Sequence, residues 1–324
     1  MRITVLTGGI GGARFLRGLR QTVGPAADIT VIGNTGDDID LFGLRVCPDL
    51  DTVMYTLGGG IDETQGWGRA TETWSAKAEL AAYGAEPDWF GLGDKDLATH
   101  LVRTRMLAAG RPLSSVTAAL CARWQPGVRL LPMTDDRVET RIEVERDGRR
   151  RTVHLQEYWV KLRAALPARS VVLVGADKAV PAPGVLDALG SADVILLAPS
   201  NPVVSIGTIL AVPGIRAALA TAAAPVVGLS PIIGTGPVRG MANQVLQAVG
   251  VAATASAVAG FYGSRRDTGV LDGWLVDSSD AGQVGQVAAS GIVCRAVPLW
   301  MTDVATTTSM AQEALLLAKE VRGA

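Results

Sequence analysis

Arg2-Ile3-Thr4-Val5-Leu6-Thr7-Gly8-Gly9-Ile10-Gly11-Gly12-Ala13-Arg14 decides the fold. Its first six residues are a β-type run, the glycines a turn, and Ala13, Phe15, Leu16 and Leu19 follow at helical spacing. Strand, glycine turn and helix are the opening of a nucleotide-binding α/β unit. A second strand, Asp28–Gly33, ends in Asn34-Thr35-Gly36-Asp37-Asp38. From residue 170 the alternation resumes. Val171-Val172-Leu173-Val174, Val194-Ile195-Leu196-Leu197 and Val226-Val227-Gly228-Leu229 are continuous apolar runs, as parallel strands covered on both faces require. Trp274-Leu275-Val276 and Val293-Cys294-Arg295-Ala296-Val297 are weaker strand candidates, and a helix is expected over 303–318. The pattern predicts an α/β protein with a Rossmann-like, doubly wound, mainly parallel sheet.

Residues 66–130 differ. Leu80, Leu97, Leu101, Leu107, Val116 and Leu120 recur at helical spacing, and Trp67, Trp74, Trp89 and Trp124 offer rings to line a cleft or simply to pack. Residues 137–158 alternate as a hairpin about Asp147-Gly148. The expected organisation is a Rossmann-like domain from 1–65 and 131–324, interrupted by a smaller helical insertion over 66–130.

Composition excludes several classes. With 324 residues, 48% hydrophobic and 19% charged, the chain has ample material for a core and is not a disordered segment. Lys plus Arg is 30 and Asp plus Glu 31, so no broad basic surface for nucleic acid is expected. No apolar run approaches the roughly 18–20 residues of a membrane span. Cys47, Cys121 and Cys294 are far apart and only His100 and His154 accompany them, which argues against disulfides and zinc. The start of the chain lacks the pattern of an export signal, so the expectation is a cytoplasmic protein acting on small molecules, its Ala/Leu-rich surface compatible with a homodimer.

Ligands of open parallel sheets bind beyond the carboxyl ends of the strands. The residues there are Gly8, Gly9, Gly11, Gly12 and Arg14; Asn34 to Asp38; Ser200 and Asn201; and Ser230, Pro231 and Gly234. The first loop lacks the Gly-Lys-Ser/Thr ending of a P-loop. Counted from Gly9, the third glycine of a dinucleotide fingerprint is replaced by Arg14, and its acidic residue by Asn34, which disfavours a nicotinamide-dependent oxidoreductase. What remains is main-chain N–H groups at a helix N-terminus, suited to an anion, with Arg14 as a supplement; the plainer alternative is a tight turn with a surface arginine. Carboxylates beside such a loop repel phosphate unless a cation intervenes. Asp37 and Asp51 are the expected Mg²⁺ ligands and catalytic residues, the plainer alternative being that Asp37 caps a turn and Asp51 the helix running to Leu57, whereas Asp49 is expected as a helix cap. Gly58-Gly59-Gly60 is a hinge or a plain loop. Asp94 is expected to cap a helix whose His100, Arg103 and Arg105 form a solvated charged face, with His100 structural.

TGGIGGARFLRGL, NTGDD, CPDLDTVMYTLGGGID, GWGRATETW, DWFGLGDKDLATHLVR, APSNPVVSIG, SPIIG and PLWMTD together resemble the 2-phospho-L-lactate transferase family of deazaflavin coenzyme (F-420) biosynthesis, over essentially the whole chain and in its actinobacterial branch. The resemblance implies transfer of a phosphate-linked three-carbon acid, enolpyruvate in that branch, from a guanosine diphosphate derivative to the ribityl hydroxyl of 7,8-didemethyl-8-hydroxy-5-deazariboflavin, with release of GMP. It implies that Asp51 and the position before Leu-Gly-Asp, a lysine in the family and Gly91 here, lie against the deazaflavin, with Trp89 beside them. Ser200, Asn201 and the 230–234 loop would then hold the guanosine part. The rival from another class is a nucleotide-sugar-binding regulator that performs no chemistry; the CPDLDT motif and the long helical insertion favour the transferase.

Overall fold

The computed structural model describes residues 1–237 and 242–323. Seven parallel strands form the central sheet: β1 (Arg2–Thr7), β2 (Asp28–Gly33), β3 (Arg129–Pro132), β4 (Val194–Leu197), β5 (Val226–Leu229), β6 (Gly273–Asp277) and β7 (Val293–Val297), in the order β7-β6-β5-β4-β1-β2-β3. The chain runs outward from β1 to β3, returns to β4 on the other side of β1, and continues outward. The β1/β4 boundary is thus the point at which the order reverses, where open sheets of this kind form their ligand crevice. Register places that edge: Thr7 pairs with Gly33, Leu6 with Leu197, and Leu197 with Gly228, so the loops after β1, β2, β4 and β5 emerge level with one another.

Both faces are covered, as the continuous apolar runs require. Side chains alternate along β1 and β2. Ile3, Val5, Ile29 and Val31 pack under α1 (Gly9–Val23), α2 (Pro48–Leu57), α5 (Leu113–Trp124) and α6 (Val304–Gly323). Leu6 and Ile32 meet the opposite layer of shorter helices, with Ile209, Ile215, Leu219 and Val258. In α1 the buried Phe15, Leu16 and Leu19 lie on one stripe, each contributing roughly 1.5–3 kcal/mol of burial.

Two further helices, α3 (Ser75–Ala82) and α4 (Asp94–Ala108), stand between α2 and α5. α3 buries none of its residues. α5, by contrast, sends Leu113, Val116, Leu120 and Trp124 into the core under the sheet. Arg129–Pro132 joins the sheet beside β2, a strand the sequence reading did not anticipate because Arg-Leu-Leu-Pro has neither β-branched residues nor alternation. The hairpin does form around Asp147 and Gly148, both at positive φ as a type I′ turn demands. Residues 171–174, expected in the central sheet, belong instead to Ala168–Val174, the third strand of that antiparallel sheet, paired with Glu139–Arg146. Val172 and Val174 are 41% and 46% exposed, so the strand is covered on one face only.

The glycine triplet is no hinge. Gly58 and Gly60 lie against Trp124, whose ring occupies the space a Cβ on Gly60 would take. No single helix among the described residues is long and apolar enough to cross a membrane.

Candidate active site

The turn after β1 is built for close approach. Gly8 donates its N–H to Ser200 Oγ (3.1 Å), which donates back to the Gly8 carbonyl (2.8 Å). This reciprocal pair stitches the β1 loop to the β4 loop across the crevice. A Cβ on Gly12 would collide with Thr7 Oγ1 and come within 2.6 Å of Ser200 Oγ, and one on Gly11 within 2.6 Å of the Pro199 carbonyl. The glycines therefore bring the first turn of α1 against the neighbouring loop. Gly9 directs its N–H to the Asp49 carboxylate. Arg14 is half-buried and makes no hydrogen bond among the described residues; its charge faces Glu63.

Asn34, fully buried at the end of β2, organises the next loop. Its amide donates to Asp49 Oδ2 (2.9 Å) and the Val204 carbonyl (3.2 Å), and its Oδ1 accepts from the Gly36 N–H (2.9 Å). Asp49 is thus not the cap that the sequence suggested: Cys47 holds the N-cap position of α2, and Asp49 turns toward Asn34 and the N-terminus of α1. Burial pushes its carboxyl up to about 6, against the pull of Asn34 and Gly9. Asp37 is also raised well above its usual value, by burial and then by the charge of Asp49. Asp38 is raised to about 8, again by burial first, although Cys47 donates its thiol to Asp38 Oδ2 (3.0 Å).

Asp51 sits one turn along α2 in a second cluster. Its Oδ1 pairs with the guanidinium of Arg103, and its Oδ2 lies 3.8 Å from His100 Nδ1. Burial raises Asp51 while Arg103 and His100 oppose the rise. Asp38 borders both groups, feeling Arg103 and Asp51. The charge neighbours of Asp37 are Asp49 and Asp38; those of Asp51 are Arg103, His100 and Asp96.

Of the expected solvated face of α4 only Arg105 is exposed. His100 and Arg103 are 1% and 2% exposed. The signal was present in the sequence, since Asp96, His100 and Arg103 are spaced i, i+4, i+7 and so share one face. Nor does Asp94 cap its own helix. Gly93 takes that position, and Asp94 accepts from the N–H groups of Ser75 (3.0 Å) and Ala76 (2.9 Å), capping α3 instead.

The remaining loop groups are engaged locally. Asn201 Oδ1 accepts from Val203 and Val204 N–H (2.9 and 3.1 Å). Ser230 Oγ donates to the Ile232 carbonyl (2.8 Å) and accepts its N–H (3.1 Å), with Pro231 buried between them. Gly234 N–H is taken by Asp280 (2.9 Å), a residue the sequence reading missed. Trp89 packs with Phe90 against Ile39, Leu41, Val46 and Leu92, beyond Asp38. Gly91 lies under Trp74, and the Lys77 ammonium is 3.3 Å from where its Cβ would be, which brings a lysine to that neighbourhood from α3.

Asp37 Oδ1, Asp38 Oδ1 and Asp51 Oδ2 are buried without a hydrogen-bond partner. Buried charged oxygens left in this state are costly, and hard oxygen donors of this kind fit a divalent cation. Among the described residues no three ligating side chains are already gathered into a cage.

The fold is a doubly wound α/β sheet whose strand order reverses between β1 and β4, the position at which sheets of this class take their ligands. The family model for 2-phospho-L-lactate transferase CofD matches residues 3–292, and the chain belongs to that family: it is a phosphotransferase of coenzyme F-420 biosynthesis. It is 71% identical over 324 residues to the phosphoenolpyruvate transferase of Streptomyces coelicolor, covering all of both chains. Against the phosphoenolpyruvate transferase of Thermobifida fusca it is 60% identical over 329 aligned residues, covering 99% of each. Among solved structures, protein BH3568 of Bacillus halodurans superposes with a TM-score of 0.63 at 18% identity, covering 97% of this chain and 99% of that one, a likeness of fold.

Proposed function

We propose that this enzyme transfers a phosphoenolpyruvyl group from a guanosine diphosphate-linked donor to the terminal ribityl hydroxyl of 7,8-didemethyl-8-hydroxy-5-deazariboflavin, in the cytoplasm. The hydroxyl oxygen forms a bond to the phosphorus that carries the enolpyruvyl group, the bond from that phosphorus to the bridging oxygen breaks, GMP departs with that oxygen, and the hydroxyl proton is lost. The full-length identity to phosphoenolpyruvate transferases supports enolpyruvate over lactate as the three-carbon acid.

The observation that carries the reading is the set of unpartnered buried carboxylate oxygens on Asp37 and Asp38, in the loop after β2, and on Asp51 of α2. Breaking a diphosphate requires positioning and charge neutralisation more than covalent help. Asp37 and Asp51 are the residues assigned to hold Mg²⁺, each through its unpartnered oxygen. Bound there, the ion would neutralise the diphosphate and polarise the phosphoryl group. The Gly8–Gly12 turn offers main-chain N–H groups and the α1 dipole to phosphate, with Arg14 as an adjacent cation. Ser200, Asn201 and the 230–234 loop, pre-set by their internal hydrogen bonds, would border the guanosine. Trp89 and Gly91, on the segment packed beyond Asp38, would flank the flat deazaflavin.

The test is GMP release from purified protein, Mg²⁺, the deazaflavin and competing guanylylated three-carbon acids, with the product weighed by mass spectrometry. A single dehydro product is expected. Absence of GMP release with every donor would leave a non-catalytic nucleotide-binding regulator in place of the transferase.

A further inference from the structure

Asp51 and Tyr55 are one turn apart on α2 and face Asp96, His100 and Arg103 on α4. The five side chains form one buried cluster. Arg103 Nη2 donates to Asp51 Oδ1, and its Nη1 donates to His100 Nδ1 (3.1 Å) and to the Arg45 carbonyl (3.2 Å). His100 Nε2 stands 3.3 Å from Asp96 Oδ2, at an angle too poor for a hydrogen bond, and Tyr55 OH donates to Asp96 Oδ1 (2.5 Å). The proton positions follow. A guanidinium has no acceptor, so Nδ1 of His100 carries the lone pair and Nε2 the hydrogen. Asp51 Oδ2 is free of any hydrogen bond within the cluster.

Stability does not account for this arrangement. A fully buried ion pair breaks about even against apolar residues of the same volume, and Leu50, Met54, Thr117, Leu120 and Leu130 already surround the site with packing that would accept them. What the guanidinium adds is a planar fork that fixes direction. It ties one carboxylate oxygen on α2 to α4 and to the strand Leu44–Val46 at once, and leaves the other oxygen unspent.

We propose that Arg103 is a positioning residue for the transfer: it locks Asp51 into one rotamer by holding Oδ1, so that Oδ2 alone is presented to the reactants, and His100 holds Arg103 in turn. The proposal rests on the function proposed above, in which Asp51 serves the reaction.

The experiment compares Arg103→Gln, Arg103→Lys, Asp51→Asn and the double variant Asp51→Asn/Arg103→Gln by steady-state kinetics, with melting temperature recorded for each. Arg103→Gln is expected to lower kcat about 50-fold or more with donor KM changed less than about threefold. Arg103→Lys, which keeps the charge without the fork, is expected to recover part of kcat. The double variant removes both buried charges, so it is expected to fold at least as well as Arg103→Gln, with a kcat equal to that of Asp51→Asn alone. A kcat for folded Arg103→Gln within about twofold of wild type would overturn the proposal, and so would losses that multiply in the double variant. Titration of the deazaflavin's own fluorescence gives a second readout, with weakening of about tenfold expected alike in both single variants and the double. If wild type binds the deazaflavin but releases no GMP, the transfer reading falls, and equal deazaflavin affinity in wild type and Arg103→Gln then overturns the role of Arg103 separately.

Discussion

Asn34 at the end of β2 holds Asp49 on α2: its side-chain amide donates to Asp49 Oδ2 at 2.9 Å, and both residues are buried. The contact ties the second strand to the N-terminus of α1, because the same carboxylate receives the Gly9 N–H. Asn34→Ala removes this bond together with those to Val204 and Gly36. A loss of about 1–3 kcal/mol in urea-unfolding free energy is expected, chiefly from a carboxylate left short of a donor. A change below about 0.5 kcal/mol would show that water replaces the amide without cost.

The same contact decides a binding question. The amide of Asn34 stands where a dinucleotide site needs an acid to bond the ribose. NAD(P) is therefore expected to give no heat of binding in calorimetry, and a measurable affinity would revive an oxidoreductase.

Gly12 has no room for a methyl group, since Thr7 Oγ1 and Ser200 Oγ occupy the space. Gly12→Ala is expected to cost about 1–3 kcal/mol and to separate the β1 and β4 loops. Gly260→Ala is the control: the position is helical, exposed and open, so a gain of roughly 0.5–1 kcal/mol is expected. Equal melting temperatures for the two variants would contradict this packing.

Four carboxyls of the site are raised in the folded protein: Asp49 to about 6, Asp38 to about 8, Asp37 well above the usual value and Asp51 above it, all by burial first. Between the ordinary carboxylate range and these values the folded protein binds more protons than the unfolded chain. Their contribution to stability is thus greatest at low pH and is lost as pH rises through the folded values. The metal-free protein is expected to melt lower at pH 8 than at pH 5.5, and Asp49→Asn to flatten the slope. Mg²⁺ is expected to raise the melting temperature more at pH 8, where the carboxyls compete less with protons. A Mg²⁺ effect that is equal at both pH values would remove Asp37 from the cation site.

Asp51→Asn keeps the shape of the side chain while removing its charge. Turnover is expected to fall by about 100-fold or more, with circular dichroism unchanged. Near-normal GMP release in that variant would take Asp51 out of the chemistry.

Much of the frame was legible in the chain. The run from Arg2 to Arg14 set β1, its turn and α1, because an apolar strand, glycines and a helical stripe admit few other arrangements. The edge loops were found for the same reason: strand ends are readable, and a parallel sheet puts them on one side. What escaped was tertiary. The valines of 171–174 carry no mark that separates a central strand from a one-sided one, and only their 168–174 pairing with Glu139–Arg146 reveals it. Asp49 looked like a cap because caps are local, whereas its partner Asn34 comes from another element. Arg103 looked like surface because a lone arginine usually is, and its partner Asp51 lies 52 residues away. Helical spacing with His100 and Asp96 was the one local hint.

Gly8 and Ser200 grip each other across 192 positions of chain. A nascent polypeptide that has completed its first half already carries the glycine turn and every acid of the pocket, but not the serine that closes it. No early-folding fragment can therefore assemble a working centre, and competence arrives late, once β4 slots in beside β1.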